Sequence, residues 1–481
     1  MLENKKLNPI ILTVNPKPTT PSPGMKNRFD YVSLAILISV IVSLWHVYNI
    51  RSWKDPGRVI AWDVISYYAY LPATFIYHDI TLKFIDRGTD YPEVLFWPNY
   101  TSDNQYVIKT SMGMAYLYAP FFFLAHATVG LTEYNPSGFS PHYKYFLVIG
   151  GIIFYLAGLI FLRKILIRYF DQLTAFLALI TITLGTNLMY YSGTEVTMPH
   201  VYIFALTNIF LYLTIKWHES PGILKAIFIG ILTGIISLIR PTNIIILLIF
   251  ILFGIRSWDD LRSRTLLFGK YFHHLILIGL LTILIWIPQF IYWKTVTGQW
   301  IFFSYIGERF FFLKPQIING LFSFRKGWLV YTPVMLFALA GIPVLWRQRR
   351  EFFWPVLILL IAHVYIIYSW WCWWYGGSLG SRPMIDIYGL LAIPVAAFLK
   401  WTFNRKGHVK LILITLFLLM GLKGSYFNIQ YYYGSVHWDG MTGKAYFKSF
   451  FRTRKYDELE KLIKVPDYTL AKEGKEDYFL K

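Results

Sequence analysis

FLVIGGIIFYLAGLIFL, residues 146–162, runs for seventeen residues without a charge, and RKILIR follows at once at 163–168. About 20 mostly apolar residues let a helix cross the hydrocarbon core of a bilayer. Lys and Arg collect at the cytoplasmic ends of such helices. The stretch therefore reads as a membrane-crossing helix that ends in the cytoplasm at Arg163, Lys164 and Arg168.

Similar runs recur at 33–49, 173–191, 200–216, 223–239, 243–255, 272–293, 329–346, 354–370, 385–399 and 409–425. That makes about eleven spans, some of them short. A further apolar stretch, 112–130, carries His126 and is interrupted by Pro120. The pattern predicts an all-α polytopic membrane protein with about 11–13 transmembrane helices. Composition points the same way, with 56% hydrophobic and 15% charged residues against about 25% charged in soluble domains. It excludes a disordered chain, an ordinary cytosolic enzyme and, with Cys372 as its lone cysteine, a disulfide scaffold.

Charge is unbalanced: 46 Lys+Arg stand against 26 Asp+Glu, a net +20. Such an excess marks nucleic-acid binders when it forms one surface patch. Here the cations fall in every second connection, at Arg163/Lys164/Arg168, Lys216/Lys225, Arg256/Arg262/Arg264/Lys270, Arg347/Arg349/Arg350 and Lys400/Arg405/Lys406/Lys410. They set orientation, and no nucleic-acid partner is expected. The leader, 1–30, also carries Lys5, Lys6, Lys17, Lys26 and Arg28, with a Pro-rich run and no cleavable signal pattern, so it is assigned to the cytoplasm. With these clusters on one side, 112–130 does not cross. It reads as a membrane-dipping or juxtamembrane helix on the outer side, or as a tight hairpin there.

The transmembrane domain then covers 31–425, with extracytoplasmic loops 50–145, 294–328 and 371–384. A C-terminal tail, 426–481, follows on the outer side. The first loop is too long for a plain connector, and loops of that length are usually functional. Within it, WDVISYYAYLPATFIYHDI (62–80) sets Asp63, Tyr67 and Tyr70 at helical spacing and ends near His78 and Asp79. It reads as an interfacial amphipathic helix. Asp63, at its start, is either a helix N-cap or a catalytic carboxylate. Glu195 and His200 sit at the outer start of the 200–216 span. Arg240, at the outer end of another, either snorkels to headgroups or binds an anion, phosphate above all. Arg325 and Lys326 stand outside, against the positive-inside trend, and Arg382 follows the glycines of WCWWYGGSLGSRPM (371–384).

Cations at membrane level suit a lipid phosphate, aromatic faces suit sugar rings and isoprenoid tails, and a carboxylate can take a proton from an acceptor hydroxyl or amine. Aromatics make up 19% of the chain. This combination is the chemistry of glycosyl transfer from a lipid-linked donor. Nucleotide and metalloprotease signatures (GxGxxG, GxxxxGK[ST], HExxH) and Cys/His metal clusters are missing. The alternative is a transporter or flippase of lipid-linked sugars; such proteins usually show internal repeats and ionisable groups near the midplane, whereas these charges lie at outer helix ends. A third reading makes the chain a membrane subunit that docks a partner through its tail.

The order of a first span, a long outer loop with an early Asp63, then KTSMGMAYLYAPFFFLAH (109–126) and many short-looped spans resembles the GT-C superfamily of integral-membrane glycosyltransferases. SLIRPTN (237–243), RKGWLVYTP (325–333) and WWYGGSLGSRPMID (373–386) look like its dolichyl-phosphate-mannose protein mannosyltransferase and aminoarabinose-transferase branch, over roughly residues 30–425. The resemblance implies a polyprenyl-phosphate-linked sugar donor, inversion at the anomeric carbon and a site facing the periplasm of a bacterial inner membrane. It implies Asp63 as general base, although Val64 replaces the second acid that many relatives carry. Arg240, Arg325, Lys326 and Arg382 would match donor-phosphate ligands by location. Tyr67, Tyr70, His78, Asp79, Glu195 and His200 are candidates for the acceptor or the sugar. The acceptor is a protein, lipid or glycan. No cofactor is required beyond the donor substrate, no metal ligands are assigned, and a divalent metal is left open.

Overall fold

The computed structural model describes residues 30–475, and the expected leader lies outside them except for Asp30. The chain is an all-α polytopic membrane protein. Asp30 caps α1 (Tyr31–Ile50), its carboxylate accepting from the Ser33 N–H at 3.2 Å. The first loop folds into α2 (Asp63–Tyr68), α3 (Tyr70–Phe75), an antiparallel pair of β1 (Asn99–Tyr100) with β2 (Tyr106–Val107), and α4 (Gly113–Thr128). Next come α5 (Pro141–Tyr169), α6 (Gln172–Leu184), α7 (Leu188–Gly193), α8 (Pro199–Glu219) and α9 (Ile223–Ile239). A tight turn, Pro241–Ile246, leads into α10 (Leu247–Leu252), then α11 (Trp258–Lys270) and α12 (Phe272–Thr297). After α13 (Ile317–Phe322) the chain runs through α14 (Trp328–Tyr331), α15 (Leu336–Gln348), α16 (Arg350–Ser369), α17 (Tyr388–Phe403) and α18 (Gly407–Tyr432). Three short helices follow: α19 (Gly443–Ser449), α20 (Leu459–Leu462) and α21 (Tyr468–Lys472).

Among the described residues, seven helical stretches are long and apolar enough to cross a membrane, and four shorter apolar ones accompany them. With α8 added and α4 set aside, they carry the described chain eleven times between two ends. Ion pairs mark those ends. The basic end is laced to itself by Arg163–Asp30, Arg168–Glu219, Arg256–Glu351 and Lys400–Asp171. The opposite, loop end is joined by Arg382–Asp63, Lys109–Glu308 and the Lys144 ammonium on the carbonyls of Asp55 and Pro56. Both ends of α4 lie here: Gly113 abuts Ile239 at the close of α9, and Thr128 bonds His142 at the start of α5. So α4 stays in the loop-end half of the bundle.

Small residues let helices approach closely. A Cβ on Gly341 would collide with the Pro394 carbonyl, and one on Gly424 with the Gly185 carbonyl. These contacts seat α15 on α17 and α18 against the break between α6 and α7.

Several boundaries differ from the sequence reading, among them the 173–191 span, which breaks between α6 and α7. Residues 62–80 are not one interfacial helix. The chain kinks between α2 and α3, because Pro72 has no N–H to offer the Tyr68 carbonyl, and residues 64–73 are buried in the protein. The 329–346 span is divided at Thr332, which leaves the helical region ahead of Pro333 (φ −130°, ψ 62°). Finally, α18 runs to Tyr432, so the tail starts there and not at 426. That tail packs Val436, Met441, Ala445, Tyr456 and Leu459 against Tyr331, Leu379 and Phe427 at the loop end.

Candidate active site

Prolines place two of the key side chains. Arg240 precedes Pro241, and a residue before proline is driven out of the helical region; Arg240 is extended (φ −143°, ψ 111°) and ends α9. His200 follows Pro199 in the first turn of α8, where a missing N–H costs nothing. Arg382 opens the turn Arg382–Ile387.

Asp63 is the first residue of α2. The cap position belongs to Trp62, which makes no side-chain capping bond, so the capping reading of Asp63 falls. Its carboxylate instead accepts from the Arg382 guanidinium at 2.7 Å. The Asp63 side chain keeps 46% exposure while Arg382 keeps 12%: an accessible anion on a nearly buried cation. Enclosure by the surrounding protein acts to raise the Asp63 carboxyl, but Arg382, then Lys109 and Arg240, outweigh it and hold it below its ordinary value. Glu195, between α7 and α8, goes the other way. Burial lifts it above the usual range, against Arg382 and the Tyr190 hydroxyl that donates at 3.2 Å. Two carboxylates that share one arginine are thus pushed apart, which separates acid from base roles.

Behind this pair lies a buried network. Asp386 accepts from His200 Nδ1 at 3.0 Å, Arg240 at 3.3 Å and Asn243 at 3.1 Å. His200 Nε2 lies 3.4 Å from the Arg240 guanidinium, which places the imidazole proton on Nδ1, toward Asp386. Arg240 also acts on the Tyr67 hydroxyl through its charge. On the other flank, Lys109 pairs with Glu308 at 2.5 Å, and Glu308 accepts from the Trp371 indole at 3.0 Å. The Lys109 ammonium lies 5.3 Å from the centre of the Tyr305 ring. At the rim, Trp62 is held at φ 49°, a conformation that costs a bulky residue strain, with its ring 72% exposed and 6.2 Å from that of Trp97.

Asp63, Tyr67, Glu195, His200, Arg240 and Arg382 therefore come together. The other sequence candidates do not. Tyr70 is buried and donates to the Thr110 carbonyl. Asp79 accepts from the N–H groups of Thr81 and Phe84 in a turn, and His78 is an exposed residue of that turn. Arg325 lies 5.5 Å from the Trp374 ring centre. Lys326 was expected to hold phosphate, yet it is 2% exposed and donates to the carbonyls of Ser378 and Trp438. Burial pushes its ammonium down to about 7. It clamps the 376–382 loop to the C-terminal segment.

Asp386, Asn243, Lys109, Tyr305 and Glu308 escaped the sequence reading. Asp386 had a signal, an acid at the head of an apolar run, where ionisable groups are costly and usually functional. The Lys109–Glu308 pair had none, since its partners sit in separate long loops. Among the described residues no group of three or more His, Cys, Asp or Glu is placed to hold a metal ion.

No protein-family model matches the sequence, and no curated protein matches it. Among solved structures, the chain is similar to the archaeal oligosaccharyltransferase AglB from Archaeoglobus fulgidus, in complex with an inhibitory peptide and a dolichol-phosphate. That superposition has a TM-score of 0.49 at 13% identity, and it covers 89% of this chain and 60% of that one. A likeness of this size transfers no function.

Proposed function

We propose that this membrane protein is a GT-C-type glycosyltransferase that moves a sugar from a polyprenyl-phosphate donor to an acceptor at the loop end, with Asp63 as general base. One observation carries the reading: an accessible carboxylate paired with Arg382, and in the field of Lys109 and Arg240, at the loop end of the bundle. A lipid phosphate and a polar acceptor would meet there. In the step proposed, Asp63 takes the acceptor's proton as its oxygen or nitrogen attacks the anomeric carbon. The bond from that carbon to the phosphate oxygen breaks, and the electron pair leaves with polyprenyl phosphate. Arg240, already held by Asp386 and His200, is preorganised to offset the charge on the leaving group.

Arg382 has a second effect. A donor phosphate that draws the guanidinium toward itself removes the main influence keeping Asp63 acidic, so the base strengthens when the donor is in place. The exposed Trp62 and Trp97 offer flat faces at the rim for a sugar ring. The donor supplies its own leaving group, so the step requires no further cofactor, and a divalent metal that would assist its departure is left open. By the positive-inside rule the loop end faces away from the cytoplasm, which in a bacterial inner membrane is the periplasm.

The test is transfer by the purified chain in liposomes, given radiolabelled undecaprenyl-phosphate sugars and protein, lipid or glycan acceptors. Label that moves to an acceptor and stops moving in Asp63→Asn is the expected result. Transfer that continues in that variant overturns the assignment.

A further inference from the structure

A cavity of about 790 Å³ opens at the basic end, remote from Asp63. Its walls are apolar: Pro343 and Val344 of α15, Phe353 and Leu357 of α16, and Trp401 of α17. Arg347 and Arg405 stand in its lining. The sixteen residues of α17 separate this cavity from the Arg382 turn by about 24 Å at 1.5 Å per residue. It belongs to a different site.

The charge here is one-sided. Among the described residues, Glu351 is committed to Arg256 and Asp171 to Lys400, and no carboxylate pairs with Arg347 or Arg405. The Arg405 guanidinium lies 4.3 Å from the Trp401 ring centre. Stacking of that kind occupies the flat face of the guanidinium and leaves its N–H edge for an anion. Arg350 covers Trp346 in the same way at 3.6 Å, closing one flank. The volume falls in the range of small-molecule sites, about 300–1,000 Å³. A soluble anion would have no use for the apolar walls, and a zwitterionic lipid would gain less from the arginines because its own ammonium offsets its phosphate.

We infer that this cavity binds an anionic glycerophospholipid of the leaflet at the basic end, with its phosphate at Arg347 and Arg405 and an acyl chain along Val344 and Leu357. The site stands apart from glycosyl transfer and holds whether or not that reading does. Cations near an anionic headgroup contribute enough that losing two should weaken binding about thirtyfold.

The experiment is native mass spectrometry of the purified full chain in detergent, titrated with phosphatidylglycerol or phosphatidylcholine. The wild type is expected to prefer phosphatidylglycerol. The double variant Arg347→Gln/Arg405→Gln should lose that preference, with affinity for phosphatidylglycerol down about thirtyfold. Val344→Trp, which fills the cavity without changing charge, should weaken both lipids. Arg262→Gln/Lys270→Gln, the same charge change on exposed α11, should leave binding intact. Equal affinity of the wild type for both lipids overturns the proposal, as does an equal loss in the α11 variant, which would make this a generally basic face and not a built site.

Discussion

Asp63→Asn keeps the shape of the side chain and removes both its charge and its basicity, so its consequences divide cleanly. On stability, Arg382 loses its counter-ion. Stripping one partner from a wholly buried pair costs about 3–5 kcal/mol. Asp63 is nearly half-exposed, however, so water reaches the gap and the cost falls to about 1 kcal/mol, as for exposed pairs. Glu195, which also lies in the field of Arg382, offsets part of that. The unfolding midpoint should drop by roughly 2 °C. On catalysis, loss of a general base costs about 10²–10⁴ in rate, or roughly 3–5 kcal/mol of barrier at 1.36 kcal/mol per decade. Activity therefore falls far more than stability. The assay pairs the initial rate of sugar transfer from undecaprenyl-phosphate donors with thermal unfolding of the same preparation. A variant that keeps more than a tenth of wild-type kcat refutes the role of Asp63. Glu195→Gln run in parallel names the successor: if it alone abolishes transfer, Glu195 is the base.

Arg382→Gln removes the chief influence that depresses Asp63. The carboxyl then titrates at higher pH and the acid limb of kcat/KM moves upward; an unmoved limb contradicts the pairing. Asp386→Asn leaves Arg240 and His200 around a missing buried anion, so stability should fall by about 3–5 kcal/mol while KM for the donor rises. An unchanged unfolding midpoint in detergent would count against that network. Lys326→Met strands the Ser378 carbonyl, while that of Trp438 keeps the Ser378 N–H, at a cost of about 1–3 kcal/mol. Limited proteolysis should then cut the C-terminal segment faster, and equal rates would show that Lys326 is not its clamp.

The bundle was legible because burial in lipid imposes long apolar runs and because Lys and Arg mark one end; 146–162 followed by RKILIR shows both at once. Helix interruptions were less so. Pro72 and Pro333 were visible, but whether a proline ends, kinks or opens a helix depends on what packs beside it. At the site, Arg240 and Arg382 stood out because a cation at an outer helix end runs against the positive-inside trend, and Asp63 because it opens the helical stretch of the long first loop and matches the family's base by resemblance. Lys326 broke the same rule for another reason, its ammonium serving as a buried hydrogen-bond hub between two loops. No pattern in the chain separates a cation that faces a ligand from one that faces carbonyls. The Lys109–Glu308 pair and the sharing of Arg382 between Asp63 and Glu195 exist only once the loops have folded over one another.

The most direct test follows radiolabelled undecaprenyl-phosphate sugar in liposomes carrying the purified protein and an acceptor. Label that leaves the lipid, appears on the acceptor with inverted anomeric configuration and depends on Asp63 is the predicted result. Label that crosses the bilayer still attached to its polyprenyl phosphate, at the same rate in Asp63→Asn, would contradict the glycosyltransferase reading and point to a carrier of lipid-linked sugars.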